Sequence, residues 1–164
     1  LADSTYGSMR DYSRKTIVVG LSLGGTIGII LARLYEEIPG LVVLAPAIVP
    51  RLEFKERLVG LTRIVSPALF TRLSGWNGEI IKAAEHVRSN SQEIKCPTLA
   101  LQARDDRVVS SKGLKLVRKW AVHKESEIDL LPQGSHAITR SKTKDEVFDR
   151  VYKFNERLGL VTPD

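Results

Sequence analysis

Cysteine is almost absent. The 164 residues contain one, Cys96, which excludes an internal disulfide framework and fits a reducing, cytoplasmic setting. Long apolar runs are missing too: nothing approaches ~18 consecutive apolar residues, so no membrane span is expected. No basic-then-apolar leader is visible at the N-terminus, and Leu1 in place of Met suggests part of a longer or processed polypeptide. No His, Cys or acidic pair has metal-ligand spacing, so neither a metal nor a cofactor is expected. A one-sided charge distribution is also lacking. The net charge is +6, but the 25 Lys and Arg are interleaved with 19 Asp and Glu. The densest basic patch, Arg140 to Lys144, runs straight into Asp145 and Glu146. With no RNP-like aromatic motif and no basic arm, nucleic acid is not an expected partner. Internal repeats and low-complexity tracts are absent as well.

What is present is 43% apolar residues in alternating strand-like and helix-like segments. The segment 1–13 is compatible with the tail of a helix, weakened by Gly7. Thr16 to Gly20 is a run expected to be buried on both faces, as in a parallel sheet. A helix to about Glu37 follows, with Ile27, Ile30, Leu31 and Leu34 as its apolar stripe. Leu41 to Ala45 reads as a second buried strand. Residues 48–92 carry apolar residues at helical spacing, broken by Pro67 and by Gly75 to Gly78, and are expected to form two or three short helices. The sheet resumes at Thr98 to Gln102. Ser110 and Ser111 can cap a helix to Trp120, Ser126 to Leu131 is a further strand, and Thr143 to Leu158 is a helix with a Thr143–Glu146 capping box and Gly159 beyond its end. Strands alternating with helices, without hairpin signals, argue an α/β fold with a parallel sheet.

Gly20-Leu21-Ser22-Leu23-Gly24-Gly25 lies between the first strand and the first long helix. G-x-S-x-G in that context is a nucleophile elbow: a sharp turn that holds the central Ser in a strained conformation and presents its Oγ. Small residues at Gly20 and Gly24 are expected because larger ones would collide across the turn. The helix N-terminus beyond it favours negative charge. The bland alternative is a Ser in a glycine-rich strand-to-helix turn. A serine hydroxyl needs a base, and a histidine base needs an acid behind it. Ligands of open parallel sheets gather at the carboxyl ends of strands. Asp105 and Asp106 follow the third strand there, and His136 follows the fourth in Gly134-Ser135-His136. His86 and His123 lie in charged surroundings and read as surface residues.

The Gly-Leu-Ser-Leu-Gly-Gly motif, the run Cys96-Pro97-Thr98-Leu99 through Asp105-Asp106-Arg107-Val108-Val109, and Gly134-Ser135-His136-Ala137-Ile138-Thr139 together resemble the α/β-hydrolase superfamily. Within it they look most like small bacterial carboxylesterases and monoacylglycerol lipases. The resemblance spans essentially the whole chain. It implies a partial α/β-hydrolase fold, a mostly parallel sheet of about four strands with flanking helices, in a single domain 1–164 with 48–92 as a helical cap or lid. It selects Asp106 over Asp105 as the acid, because the family's acid precedes x-Val-Val. It makes Ser22 the nucleophile, His136 the base and the Leu23 backbone N–H an oxyanion donor.

The activity implied is hydrolysis of a small-molecule ester, a short-chain acyl ester or a monoacylglycerol, through an acyl-enzyme. Peptidase, thioesterase and carbon–carbon bond hydrolase chemistry, or a catalytically impaired interaction module, are the alternatives. Trp76, Phe54, Phe70 and Leu69 could line an apolar channel, or simply pack. The family places further strands, and a second oxyanion donor, ahead of the elbow. Their absence before Ser22 suggests a C-terminal portion of a longer hydrolase, a half-built oxyanion hole, and a first strand whose bare edge could mediate self-association.

Overall fold

The computed structural model describes residues 2–13, 15–51 and 67–161, with backbone alone for 67–77. In chain order the elements are α1 (Ala2–Tyr12), β1 (Val18–Leu21), α2 (Leu23–Leu34), β2 (Leu41–Leu44), α3 (Pro67–Ser89), β3 (Thr98–Ala103), α4 (Lys112–Trp120), β4 (Glu127–Leu131), a 3-10 turn (Ile138–Arg140) and α5 (Lys144–Arg157). The four strands form one parallel sheet in the order β1-β2-β3-β4. This is the α/β architecture that the strand–helix alternation implied. No helix among the described residues is long and apolar enough to cross a membrane.

Period-two alternation sorts the strand residues between two cores. Val43, Ala100 and Ile128 join Ile29, Leu114, Val117 and Trp120 on the face covered by α1, α2 and α4. Val42, Leu44, Leu99, Leu101 and Leu131 join Ile138, Val147 and Phe154 on the face covered by α5. Every residue of β2 and β3 is buried; β2 is apolar throughout, and β3 carries Thr98 and Gln102 among its apolar residues. Full burial of each large side chain stabilises by roughly 1.5–3 kcal/mol.

β1 departs from the expectation of burial on both faces. It is the outer strand of the sheet, and Val19 is 53% and Leu21 38% exposed. Val19 and Leu21 pair in register with Val42 and Leu44, but the core under α5 does not extend to them. An apolar run reports apolar residues, not what lies over them.

The α2 stripe also differs. Leu34 is exposed, and the buried set is Gly25, Thr26, Gly28, Ile29, Leu31, Ala32 and Arg33. The glycines explain the rotation. A Cβ at Gly28 would lie 3.1 Å from Leu41 Cδ1 and 3.2 Å from Val18 Cγ1, so α2 lies with its smallest residues against the sheet.

Two or three short helices were expected between 48 and 92, but α3 runs unbroken through Gly75 to Gly78, with Pro67 as its first residue. Residues 52–66, with Leu52, Leu58, Leu61 and Ile64, lie outside the described residues. The C-terminal half of α3 is tied down by Ala84 and Val87, both buried, and by two arginines. Arg33 Nη1 donates to the Val87 carbonyl at 3.1 Å while its guanidinium sits 4.5 Å over the Trp120 ring. Arg88 Nη1 donates to the Ile48 carbonyl at 2.5 Å.

The helix ends follow sequence unevenly. Gly159 is at φ 62, and the Gly159 and Leu160 N–H groups donate to the Glu156 and Asn155 carbonyls, closing α5 as glycine past a helix end does. Thr143 stands at the N-cap, but its side chain makes no cap bond; the Oγ1 is 2.7 Å from Ser141 Oγ instead. At α4 it is Ser110 Oγ, not Ser111, that accepts from the helix, through the Lys112 N–H at 3.3 Å.

Candidate active site

Three strand ends converge at the carboxyl edge of the sheet. The first is the β1–α2 turn. Ser22 sits at φ 55, ψ −117, a region that side-chain-bearing residues rarely occupy. Gly20 is obligatory, since a Cβ there would be 2.3 Å from Gly24 C and O. Gly25 is tight, with a Cβ falling 3.1 Å from the Gly20 carbonyl oxygen and from Val43 Cγ1. At Gly24 a Cβ would meet nothing within 4 Å, so the collision expected there does not arise; the crowding falls on 20 and 25. Leu23 opens α2, and its N–H belongs to the first turn, which has no i−4 carbonyl partner and carries the positive end of the helix dipole.

The second is the turn after β3. Asp106 is 2% exposed, and its Oδ1 accepts from the Val108 and Val109 N–H groups at 2.8 and 3.0 Å. Asp105 beside it is exposed. Burial pushes the Asp106 carboxyl up. The hydrogen bond from His136, those from the Val109 and Val108 amides, and the His136 charge outweigh it and hold the group below the ordinary carboxylate value. Gln102, fully buried in β3, donates from Nε2 to the Val109 carbonyl at 3.2 Å and so steadies the same turn. Nothing in the sequence marked it: a Gln at a strand end looks like any surface residue until its burial is seen.

The third is the loop after β4. Gly134 is at φ 126, and a Cβ there would be 3.0 Å from Thr143 Oγ1 and 3.2 Å from Ala103 Cβ, so only glycine lets the loop lie this close to the strand ends. Two residues later, His136 Nδ1 is 2.9 Å from Asp106 Oδ2 and Nε2 is 2.9 Å from Ser22 Oγ. Side chains 114 and 30 residues apart in sequence are thus joined in one series of hydrogen bonds. With Nδ1–H donating to the carboxylate, Nε2 is left to accept from the serine hydroxyl.

His86 and His123 lie elsewhere: His86 is exposed on α3, and His123 Nδ1 accepts from the Glu125 N–H at 3.2 Å. A cavity of about 220 Å³ between α3 and the segment after β2 is lined by Val49, Pro50, Ile81, Ala84, Glu85 and Arg88, and does not include Ser22, Asp106 or His136. Of the residues read as a possible apolar channel, Phe54 and the side chains of Leu69, Phe70 and Trp76 fall outside the described residues.

Comparison with known proteins agrees with this architecture. The sequence profile of the serine aminopeptidase family S33 matches residues 70–143. A carboxylesterase of Bacillus subtilis is 29% identical over 72 residues, covering 44% of this chain and 29% of that protein. The matched stretch therefore spans less than a third of that relative. Among solved structures, the monoacylglycerol lipase of Paleococcus ferrophilus is similar with a TM-score of 0.72 at 16% identity, over 97% of this chain and 74% of that one. A metagenome-derived lipolytic enzyme is similar with a TM-score of 0.69 at 20% identity, over 94% of this chain and 70% of that one. The chain therefore has a partial α/β-hydrolase fold, a four-stranded parallel sheet with flanking helices.

Proposed function

We propose that the protein is a serine hydrolase that cleaves small carboxylic esters, short-chain acyl esters or monoacylglycerols, through an acyl-enzyme. The observation that carries this reading is the series Asp106–His136–Ser22, with both contacts to the imidazole at 2.9 Å. Ser22 Oγ attacks the ester carbonyl while His136 Nε2 takes its proton. The tetrahedral intermediate collapses, the C–O bond to the alcohol breaks, and His136 returns the proton to that alcohol. A water deprotonated by the same nitrogen then attacks the acyl-enzyme, and the carboxylic acid leaves with Ser22 restored. Asp106 holds the imidazole with Nδ1–H toward itself and stabilises the imidazolium. The Leu23 N–H, at the positive end of α2, donates to the oxyanion. Substrate choice is assigned to the region read from the sequence as a cap, 48–92.

The carboxylesterase relative and the lipolytic neighbours support ester substrates. The matching family profile favours a second reading, a peptidase that releases an N-terminal residue by the same acyl transfer. A fluorophosphonate probe tests the chemistry: labelling is expected, and is expected to vanish in Ser22→Ala and His136→Ala. A folded protein that takes no label would instead be a non-catalytic module. Hydrolysis of p-nitrophenyl butyrate but not of alanine p-nitroanilide supports the esterase; the opposite preference supports the peptidase.

A further inference from the structure

Two non-glycine residues among those described lie at positive φ, and they are neighbours in space: Ser22 at 55 and Ala45 at 45. Ser22 is held from β2. Its N–H donates to the Leu44 carbonyl at 2.8 Å, and its own carbonyl accepts from the Ala47 N–H at 3.1 Å as well as from the Thr26 N–H at 3.2 Å. Ala45 makes this possible. Its N–H continues the ladder to the Leu101 carbonyl at 2.8 Å, and its left-handed conformation then swings the chain across the end of β2. Pro46 is brought against the elbow, its Cα 3.5 Å from where a Cβ of Gly25 would stand. Ala45 and Ala47 are both buried.

The same segment continues to the acid. The Val49 carbonyl accepts from the Ser110 N–H at 2.8 Å, Pro50 bridges Val109, and the Arg51 N–H donates to the Val108 carbonyl at 2.9 Å. Val108 and Val109 are the residues whose amides hold Asp106 Oδ1. Midway, the Ile48 carbonyl accepts from Arg88. One stretch of seven residues, 45–51, is therefore hydrogen-bonded to the nucleophile at one end and to the acid's turn at the other.

We propose that residues 45–51 are a positioning strap that fixes Ser22 relative to Asp106, and that Ala45 is its joint. A residue kept in a rarely populated conformation persists only where its surroundings over-determine it. Ser22 meets that condition through Leu44, at the end of β2, and through Ala47, which the Ala45 turn delivers. The strap acts through backbone groups, so no side-chain pattern announces it. The reaction it serves is the one proposed above, and the inference rests on that reading for its kinetic consequence though not for its geometry.

The test uses Ala45→Val and Ala45→Gly in the full-length protein. A β-branched side chain disfavours positive φ, whereas glycine adopts it freely. With a fluorophosphonate, Ala45→Val is expected to lower the limiting rate of phosphonylation ~10- to 100-fold, the scale of a small misplacement of reacting groups, with the probe's dissociation constant little changed. Ala45→Gly is expected to stay near wild type. Should Ala45→Val fail to fold, replacing Ala47 by its α-hydroxy analogue removes the N–H that reaches the Ser22 carbonyl and leaves the side chain intact; the same loss of limiting rate is expected.

A crystal structure of Ala45→Val, or of the Ala47 ester variant if that is the one that folds, supplies the readout that does not depend on activity. Ser22 leaving φ near 55 supports the strap even if the wild-type protein takes no probe, an outcome that would remove the proposed function alone. Ala45→Val, or the Ala47 ester variant, folded with Ser22 unmoved and wild-type reactivity overturns the strap.

Discussion

The turns at the carboxyl ends of the strands and the flank formed by β4 and α5 are built by opposite rules. In the flank most local preferences agree with the fold, although Thr143 makes no cap bond and Asn155 keeps Oδ1 buried without a partner among the described residues. Val147 and Phe154 are buried one above the other on α5, Gly159 closes it, and the outward residues form an ion network. Arg150 pairs with Asp129 and Glu127, Arg157 reaches Glu127 at 2.5 Å, and Arg118 donates to the Ile128 carbonyl. At the strand ends the preferences are broken. Ser22 and Ala45 occupy positive φ without being glycine, Asp106 is ionisable and buried, and Gln102 leaves Oε1 buried without a partner among the described residues. Such violations are tolerated where a site needs a fixed arrangement that the relaxed chain would not adopt, and they depend on a surrounding structure that obeys the rules.

The contrast implies that substitutions separate by region, with reactivity changing at the strand ends and stability in the flank. The largest effect is expected at Asp106→Asn. It keeps the shape but removes the charge 2.9 Å from His136 Nδ1, and under the proposed mechanism the hydrolytic rate should fall ~10³–10⁴-fold, measured as kcat on an ester that the wild type turns over.

The same variant should flatten the acid limb of stability. The Asp106 carboxyl sits below its unfolded value, so its ionised form stabilises the fold above about pH 4 and that contribution is lost as pH falls through the lowered value. Urea unfolding at about pH 7 and about pH 2.5 should therefore show a larger drop for the wild type than for Asp106→Asn.

Next in size is Phe154→Ala, which removes a ring from a fully buried position under the sheet. It should cost about 3–5 kcal/mol in chemical denaturation. Probe labelling per folded molecule should be unchanged, and a parallel loss of reactivity would break the separation of the two regions. The smallest effect belongs to Arg150→Ala. Its partners Asp129 and Glu127 are partly exposed, so about 1 kcal/mol is expected, diminishing in high salt, with no change in reactivity.

Much of the fold was legible from the chain. The runs 41–45 and 98–102 read as strands and are buried on both faces, whereas the equally apolar run at β1 is not. Gly20 advertised the close turn at Ser22, whereas the crowding expected at Gly24 falls on Gly25. Harder to read was anything that depended on a neighbour. The exposure of Val19, the rotation of α2 onto Gly25 and Gly28, and the diversion of Thr143 Oγ1 to Ser141 all turn on what stands opposite a residue. Gly75 to Gly78 did not break α3, since two glycines weaken a helix without forbidding it.

What the sequence determined by itself is the alternation of parallel strands and helices and the residue types offered at each strand end: a serine between glycines, adjacent aspartates, a histidine after glycine. These follow from local sterics and from periodicities of two and 3.6 residues, which act over a few positions. The tertiary structure decided which aspartate is buried, that both nitrogens of His136 find their partners at 2.9 Å, and that a backbone segment without a side-chain signature ties Ser22 to the turn of Asp106. Those outcomes rest on contacts between residues tens of positions apart. Only the stacking of strands against one another brings such residues within reach.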